Sequence, residues 1–223
     1  TLQALAVLVE RAGGGPAIVV VPASVEENWE RETRRFAPAL RPHRYRDDAR
    51  QLLPESFGAG DLLIVSYGLL LRDVERLARA RWHTAVFDEA HVLKNPRAKT
   101  AKAAQQLPAE WRLALTGTPI ENDLPELWGL FDLLCPNILG TRTEFEKRFV
   151  VPVQVRRDPV QSQLLRRLIK PFVLRRPRLE VLPDLPPRTD VVERIVLADD
   201  ARHVYDATRA RILLEMQGLE TSR

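Results

Sequence analysis

Short, largely apolar runs recur through the first half of this chain, at 17–21, 62–65, 84–87 and 112–115. Each run is too continuously apolar for a strand with one wet face, and each is followed by a polar turn. The runs therefore predict strands buried on both sides. Between them, 24–36, 68–80 and 97–107 have helical length and spacing, and a helix over 1–11 closes on Gly13-Gly14-Gly15. Ser24 with Glu27, and Asp123 with Glu126, have the spacing of capping boxes at helix starts. Strands alternating with helices imply an α/β fold, a parallel sheet covered by helices on both faces.

Past Pro119 the pattern changes. Residues 124–134, 143–149 and 159–169 look helical with no strand between them, a helical insertion on the parallel core. A passage carrying Pro177, Pro183, Pro186 and Pro187 leads to an apolar-rich run at 191–197, and 199–217 predicts a last helix capped by Asp199 or Asp200. The expected organisation is a core over 1–122, the insertion over 123–170, a return to the core over 171–198 and an exit helix over 199–223. The fold is expected to continue past Arg223.

Composition narrows the class. With 45% hydrophobic and 29% charged residues in 223, the chain is an ordinary globular protein and not a disordered one. No apolar run approaches the roughly 20 residues of a membrane span, so no membrane partner is expected. The single cysteine, Cys135, excludes an internal disulfide and a cysteine-cluster zinc site, and points to a reducing compartment: the bacterial cytoplasm and its nucleoid, or a nucleus. The net charge of +4 is unevenly placed. Residues 1–155 hold 20 Lys/Arg against 20 Asp/Glu, whereas 156–178 hold eight basic residues against Asp158 alone. That run fits either a solvated helix face or contacts to phosphates.

The candidate chemistry lies where apolar runs end. Val86-Phe87-Asp88-Glu89-Ala90-His91 puts two adjacent carboxylates at the carboxyl end of a buried strand, the place where an α/β nucleotide hydrolase holds magnesium and activates water. Mg²⁺ takes one or two carboxylates plus phosphate oxygens and retained waters. Asp88 would hold the ion and Glu89 would orient and deprotonate the attacking water. Leu113-Ala114-Leu115-Thr116-Gly117-Thr118-Pro119 repeats the design with hydroxyls in the turn, and Gly117 allows a tight backbone there. His91 has no second histidine at helical spacing, which disfavours zinc. A hydrogen-bonding role between its own turn and the Thr116–Thr118 turn is favoured instead.

The sequence Asp-Glu-Ala-His-Val-Leu-Lys-Asn-Pro, followed by Leu-Thr-Gly-Thr-Pro-Ile-Glu-Asn, resembles motifs II and III of the Swi/Snf-type DEAH ATPases, chromatin-remodeller-like DNA translocases of helicase superfamily two. Val19-Val20-Val21-Pro22-Ala23-Ser24 with Asn28-Trp29 resembles motif Ia, and Ile64-Val65-Ser66-Tyr67-Gly68 resembles motif Ib. Leu174-Arg175-Arg176 and Leu185-Pro186-Pro187-Arg188-Thr189 match segments bordering the end of the first lobe. The resemblance covers nearly the whole chain. It implies a RecA-like lobe of the P-loop NTPase fold, with ATP and Mg²⁺ as cofactors and double-stranded DNA as partner, gripped by its phosphates without regard to sequence. Asp88 and Glu89 take the magnesium and water-activating roles; Thr1, His91, Thr116, Gly117 and Thr118 are expected at the nucleotide, and Thr116 and Thr118, with His91, couple its state to movement. Pro22, Ala23, Ser24, Ser66 and Tyr67 lie along the DNA track, and Lys94 and Asn95 are expected near it. Trp29 is expected simply to pack into the core.

Two parts of such a motor do not occur in this sequence. The phosphate-cradling Gly-x-x-x-x-Gly-Lys-Thr loop is not found, and Thr1-Leu2-Gln3-Ala4-Leu5-Ala6 resembles what directly follows its lysine. Thr1 is thus expected to match the magnesium-binding threonine. A second RecA-like lobe, which supplies arginine fingers, is expected outside these residues, so the 223 residues alone should hydrolyse ATP negligibly. A DNA-bound protein would be the substrate that the motor displaces or remodels. Another superfamily-two motor, an RNA helicase or a restriction-type translocase, is the near alternative; Ile120-Glu121-Asn122 and the Leu-Pro-Pro-Arg-Thr segment argue against it. A non-catalytic lobe that only binds DNA or a partner is the alternative from another class, and the intact Asp88–Glu89 pair argues against degeneracy.

Overall fold

The computed structural model describes residues 1–46, 54–117, 124–176, 193 and 196–220. The four apolar runs form β1 (Ala17–Val21), β3 (Asp61–Ser66), β4 (Trp82–Phe87) and β5 (Ala109–Ala114). A fifth strand, β2 (Arg41–Arg44), joins them in one sheet of order β2-β3-β1-β4-β5, parallel at every pairing. The hydrophobic pattern gives no warning of β2, because Arg-Pro-His-Arg has no apolar residue besides the proline. It sits at the sheet edge, where a proline and charged side chains are tolerated and discourage pairing with another chain.

Alternation along β1 shows how the two faces are covered. Ala17, Val19 and Val21 pack with Leu62, Ile64 and Val86 against Ala4, Leu5 and Leu8 of α1 (Leu2–Arg11) and Trp29 of α2 (Glu26–Phe36). Ile18 and Val20 face the other way, with Leu63, Val65, Ala85 and Phe87. They meet Leu70 and Leu77 of α3 (Tyr67–Leu77), Ala101 and Ala104 of α4 (Lys99–Gln106), and Leu130 and Leu133 of α5 (Leu124–Leu134). The helix after β1 thus lies on one face and the helix after β4 on the other. These two strands are neighbours, so their carboxyl ends flank the topological switch point of the sheet, where open α/β folds bind ligands.

The expected capping box of Ser24 and Glu27 does not form. Ser24 lies in a 3₁₀ turn (Ala23–Val25), and α2 starts one residue later from Val25 with no side-chain cap. Pro22 fixes the chain leaving β1 and favours that extra turn, which moves the helix start past the serine. The Asp123–Glu126 box involves a residue outside those described. A capping box does occur at Thr141, which accepts from the Glu144 amide while the Glu144 carboxylate accepts from the Thr141 amide.

Beyond α5 come α6 (Arg142–Phe145), a π-helical segment (Glu146–Val155) and α7 (Pro159–Ile169). The expected α-helix over 143–149 therefore passes into wider π turns after one turn. The four helical segments share a satellite core of Leu127, Phe131, Phe145, Phe149 and Leu165. Helix α5 serves both cores, since Leu127 and Phe131 face the satellite core while Leu130 and Leu133 face the sheet. Arg112 of β5 ties the same region. Its guanidinium donates to Leu107 O at 2.8 Å and Leu133 O at 3.0 Å, carbonyls at the C-terminal ends of α4 and α5, where helix dipoles favour a cation. Burial pushes the Arg112 pKa down.

The described residues divide into compact units at Thr1–Val173 and Leu174–Arg223. The second contains the last helix, α8 (Asp199–Glu220). Most of the 191–197 run lies outside the described residues; Val196 and Leu197 themselves belong to no strand. No helix among the described residues is long and apolar enough to cross a membrane.

Candidate functional site

Strand β4 ends at Phe87, and the chain keeps contact with both neighbouring strands beyond it. The Asp88 amide donates to Val20 O at 2.8 Å, and Leu115 N donates to Phe87 O at 2.8 Å. The next step is strained: Glu89 has φ 49° and ψ 47°, the left-handed region, where a Cβ is disfavoured. Such outliers concentrate at functional sites, held by the structure around them. A 3₁₀ turn (Ala90–Leu93) follows, and Ala90 N donates to Leu115 O at 2.9 Å. The Asp-Glu-Ala-His turn and the residue preceding Thr116 are therefore bonded backbone to backbone.

Asp88 is half-buried and heavily oriented. Its Oδ2 accepts the indole N–H of Trp29 at 2.8 Å, and Oδ1 accepts the Glu89 amide at 3.0 Å. Its backbone carbonyl accepts the Tyr67 hydroxyl at 2.7 Å. Burial, followed by the charges of Asp88 and Glu89, pushes the Tyr67 pKa far above its ordinary value, so the phenol remains a donor. One donor on each oxygen leaves each a further lone pair. No group of three or more His, Cys, Asp or Glu among the described residues could hold a metal through protein ligands alone. A cation at Asp88 would take its other ligands from phosphate and water, the mode magnesium favours.

Glu89 and His91 are exposed and adjacent, with Glu89 Oε2 3.2 Å from His91 Nδ1. The described contact of His91 thus goes to Glu89, within its own turn. Thr116 is half-buried; Gly117 is exposed, and a Cβ there would meet nothing within 4 Å. Its φ lies outside the left-handed region, and the rest of the turn anticipated there falls outside the described residues. Thr118 lies outside the described residues. Thr1 is exposed at the N-terminus of α1, where Leu5 N donates to its carbonyl at 3.0 Å.

The segments expected on the DNA track leave neighbouring strands. Pro22, Ala23 and Ser24 follow β1, with Ala23 and Ser24 exposed. Ser66 ends β3 and is 6% exposed, and the hydroxyl of Tyr67 turns inward to Asp88, so both stand at the strand end with their side-chain polar groups directed into the fold. The expectation for Lys94 is corrected: it is 6% exposed, and its ammonium lies 3.2 Å from Glu126 of α5. Burial in an ion pair removes it from the surface on which a phosphate contact depends. Asn95 is exposed, with its Oδ1 accepting the Arg97 amide at 3.0 Å. Within 156–176 the basic residues Arg156, Arg157, Arg166, Arg167, Lys170, Arg175 and Arg176 are all exposed.

Sequence reasoning missed the bond from Trp29 to Asp88. The signal available was chemical: a fully buried indole N–H requires an acceptor, and packing alone leaves that acceptor unnamed.

A parallel sheet that presents an Asp-Glu pair at its switch point, joined by backbone to the following strand end, has the architecture of a RecA-like lobe. The chain belongs to the family described as the SNF2-related domain, whose sequence model matches residues 1–223. It is 37% identical over 186 residues to the TATA-binding protein-associated factor mot1 of Schizosaccharomyces pombe, a match covering 78% of this chain and 10% of that protein. It is 31% identical over 224 residues to the ISWI chromatin-remodeling complex ATPase CHR17 of Arabidopsis thaliana, covering 98% of this chain and 21% of that protein. The Sulfolobus solfataricus SWI2/SNF2 ATPase core solved with double-stranded DNA superposes with a TM-score of 0.71 at 36% identity, over 82% of this chain and 38% of that one. The chain thus spans about a tenth to a fifth of these two curated relatives.

Proposed function

We propose that these residues are the first RecA-like lobe of a double-stranded-DNA-dependent ATPase and translocase that displaces or remodels proteins on DNA. The observation that carries the reading is Asp88 at the switch point, oriented by three hydrogen bonds, with Glu89 turned out beside it in a strained conformation. Asp88 and Thr1 would hold Mg²⁺, which neutralises phosphate charge when bound. Glu89 positions the attacking water and takes its proton, and His91 steadies the Glu89 carboxylate. Thr116, Gly117 and Thr118 lie on the segment bonded to this turn and relay its movement. The strand ends after β1 and β3 face the duplex, Ala23, Ser24 and Asn95 meeting phosphates. A second lobe, supplying arginine to the γ-phosphate, lies in the longer polypeptide that the relatives' lengths suggest. Such a motor works where the chromosome is, in a nucleoid or a nucleus.

The test uses the full-length polypeptide and its Glu89→Gln variant. The unmutated protein should show ATP turnover stimulated by duplex DNA and not by single-stranded RNA. The variant should bind ATP and lose turnover by at least about 10², the usual scale for removing a general base. Unchanged turnover removes Glu89 as the base, and stimulation by RNA moves the protein to another class of motor.

A further inference from the structure

Asp88 is gripped from both faces of the sheet. Trp29 belongs to the core between the sheet and α1 and α2, whereas Tyr67 packs against the core on the α3 side. One donates to the carboxylate at 2.8 Å and the other to the carbonyl of the same residue at 2.7 Å. Burial of Trp29 requires an acceptor but does not select this one. The indole N–H groups of Trp82 and Trp128 meet backbone carbonyls, Leu77 O at 2.9 Å and Gly140 O at 3.1 Å, as ordinary core tryptophans do. Trp29 instead donates to a charged carboxylate at the mouth of the switch point, a stronger and more directional bond.

The two donors also stand at chosen places in the chain. Trp29 is five residues after Ser24 on the helix entered from the β1 end, and Tyr67 directly follows Ser66 at the β3 end. Those are the two strand ends assigned above to the duplex. A shift of either segment reaches Asp88 through one hydrogen bond, with no intervening residue.

We propose that Trp29 and Tyr67 are positioning residues that bracket Asp88, fixing its carboxylate for a phosphate-bound divalent cation and coupling it to the β1 and β3 strand ends. The proposal rests on the reading of Asp88 as the metal-holding residue. Outer-sphere donors of this kind set the orientation of a metal-binding carboxylate, and their loss weakens metal binding roughly 10–100-fold.

In the full-length polypeptide, Trp29→Phe and Tyr67→Phe each remove one donor and keep an aromatic ring, the first with a smaller ring in a fully buried place. At saturating ATP and duplex DNA, the Mg²⁺ concentration for half-maximal turnover should rise about tenfold in Trp29→Phe, at the lower end of that range. It should rise less in Tyr67→Phe, whose bond goes to the carbonyl. Mn²⁺, which binds such ligands more tightly, should restore turnover in both. A purely structural role would lower thermal stability without moving the Mg²⁺ dependence. The second readout needs no turnover. In this 223-residue chain, the ¹⁵N–¹H indole resonance of Trp29, assigned by its loss in Trp29→Phe, should lie downfield of those of Trp82 and Trp128. It should move in Asp88→Ala and again when duplex DNA is added. Should Trp29→Phe fail to fold, Tyr67→Phe carries the test, together with the indole resonance assigned instead by loss of the other three in Trp82→Phe, Trp111→Phe and Trp128→Phe. Normal Mg²⁺ dependence in the folded variants, or an indole resonance indifferent to both Asp88→Ala and DNA, overturns the bracket alone. Absence of DNA-stimulated turnover in the unmutated protein overturns the functional reading and the proposal with it.

Discussion

Replacing Glu89 by glycine should make the protein more stable than replacing it by alanine, the reverse of the usual order. At φ 49° and ψ 47°, a residue with a Cβ sits in the left-handed region at a cost of about 1–2 kcal/mol. Glycine removes that cost but frees the unfolded chain, which returns about 0.5–1 kcal/mol. Either substitution also loses the 3.2 Å contact with His91. Its partners are 52% and 43% exposed, so that contact contributes at most about 0.5 kcal/mol. Glu89→Gly should therefore be stabilising by about 0.5 kcal/mol, and Glu89→Ala, which keeps the strain, destabilising by up to about 0.5 kcal/mol. Urea unfolding followed by tryptophan fluorescence measures the difference. Trp29, Trp82, Trp111 and Trp128 all lie in the Thr1–Val173 unit, so the signal reports that unit alone. A gap of about 0.5–1 kcal/mol corresponds to roughly 2 °C in melting temperature for a domain of this size. An alanine variant as stable as the glycine variant would mean that no strain is stored at Glu89, and the argument from its backbone would fail. Both variants should lack turnover, because strain relieved at this turn is gained at the expense of the carboxylate that justifies it.

Gly129→Ala should destabilise the Thr1–Val173 unit by about 1–3 kcal/mol through overpacking, although glycine-to-alanine changes inside helices ordinarily stabilise. A Cβ at 129 would overlap the carbonyl oxygen of Lys94, so α5 would be levered off the turn that carries Asp88 and Glu89. A stabilised variant in thermal unfolding would disprove that close approach. Asp61 governs part of the acid response. Burial pushes its carboxyl up, but Arg41, the Gly58 amide and His43 outweigh burial and hold it at about 2 against an ordinary 3.8. A folded pKa below the unfolded one contributes stability that is fully present above about pH 4 and lost as pH falls toward 2. Because Arg41 is 60% exposed, solvent screening limits that contribution to about 1–2 kcal/mol. Asp61→Asn should lower stability by this amount at pH 7 and flatten its decline between pH 4 and 2; an unchanged acid limb refutes the assignment.

The apolar runs were enough to place β1, β3 and β4, because strands buried on both faces have no polar alternation to confuse them with loops. The run at 112–115 marked β5 only in part, because this edge strand is at most half-buried and begins at Ala109. They could not place β2, whose stability comes from pairing with β3 and from the contacts of Arg41 and His43 with Asp61, not from its own side-chain burial. The placement of Asp88 and Glu89 at a strand end was legible from the apolar run that precedes them. The fates of Lys94, Ser66 and Tyr67 were not, since a one-dimensional reading cannot tell whether a polar side chain next to a motif turns outward or inward. Lys94 turns in because Glu126, 32 residues later, comes to meet it, a contact that only the packing of α5 defines.

These inward contacts change how a turn of this kind would work. If Lys94, Ser66 and Tyr67 all faced DNA, the nucleotide site and the duplex would each have its own residues, and coupling would need a long relay. Instead, Tyr67 and Trp29 end on Asp88, while Ala90 N and Leu115 O join the same turn to the segment leading to Thr116. Four of the five strand ends are thus tied to a stretch of three residues, Asp88–Ala90: β1 through Val20 and α2, β3 through Tyr67, β5 through Leu115, and β4 by the chain itself. Within that stretch the residue with no such bond to a neighbouring element among the described residues, Glu89, is the one held in a strained conformation. A strained residue surrounded by fixed neighbours has few ways to relax other than by moving them. On the proposed reading, any change at Glu89 that accompanies loss of the γ-phosphate is therefore felt first at the strand ends assigned to the duplex and at the Thr116 segment. A long-range pathway is not required, because the elements to be coupled already share one turn.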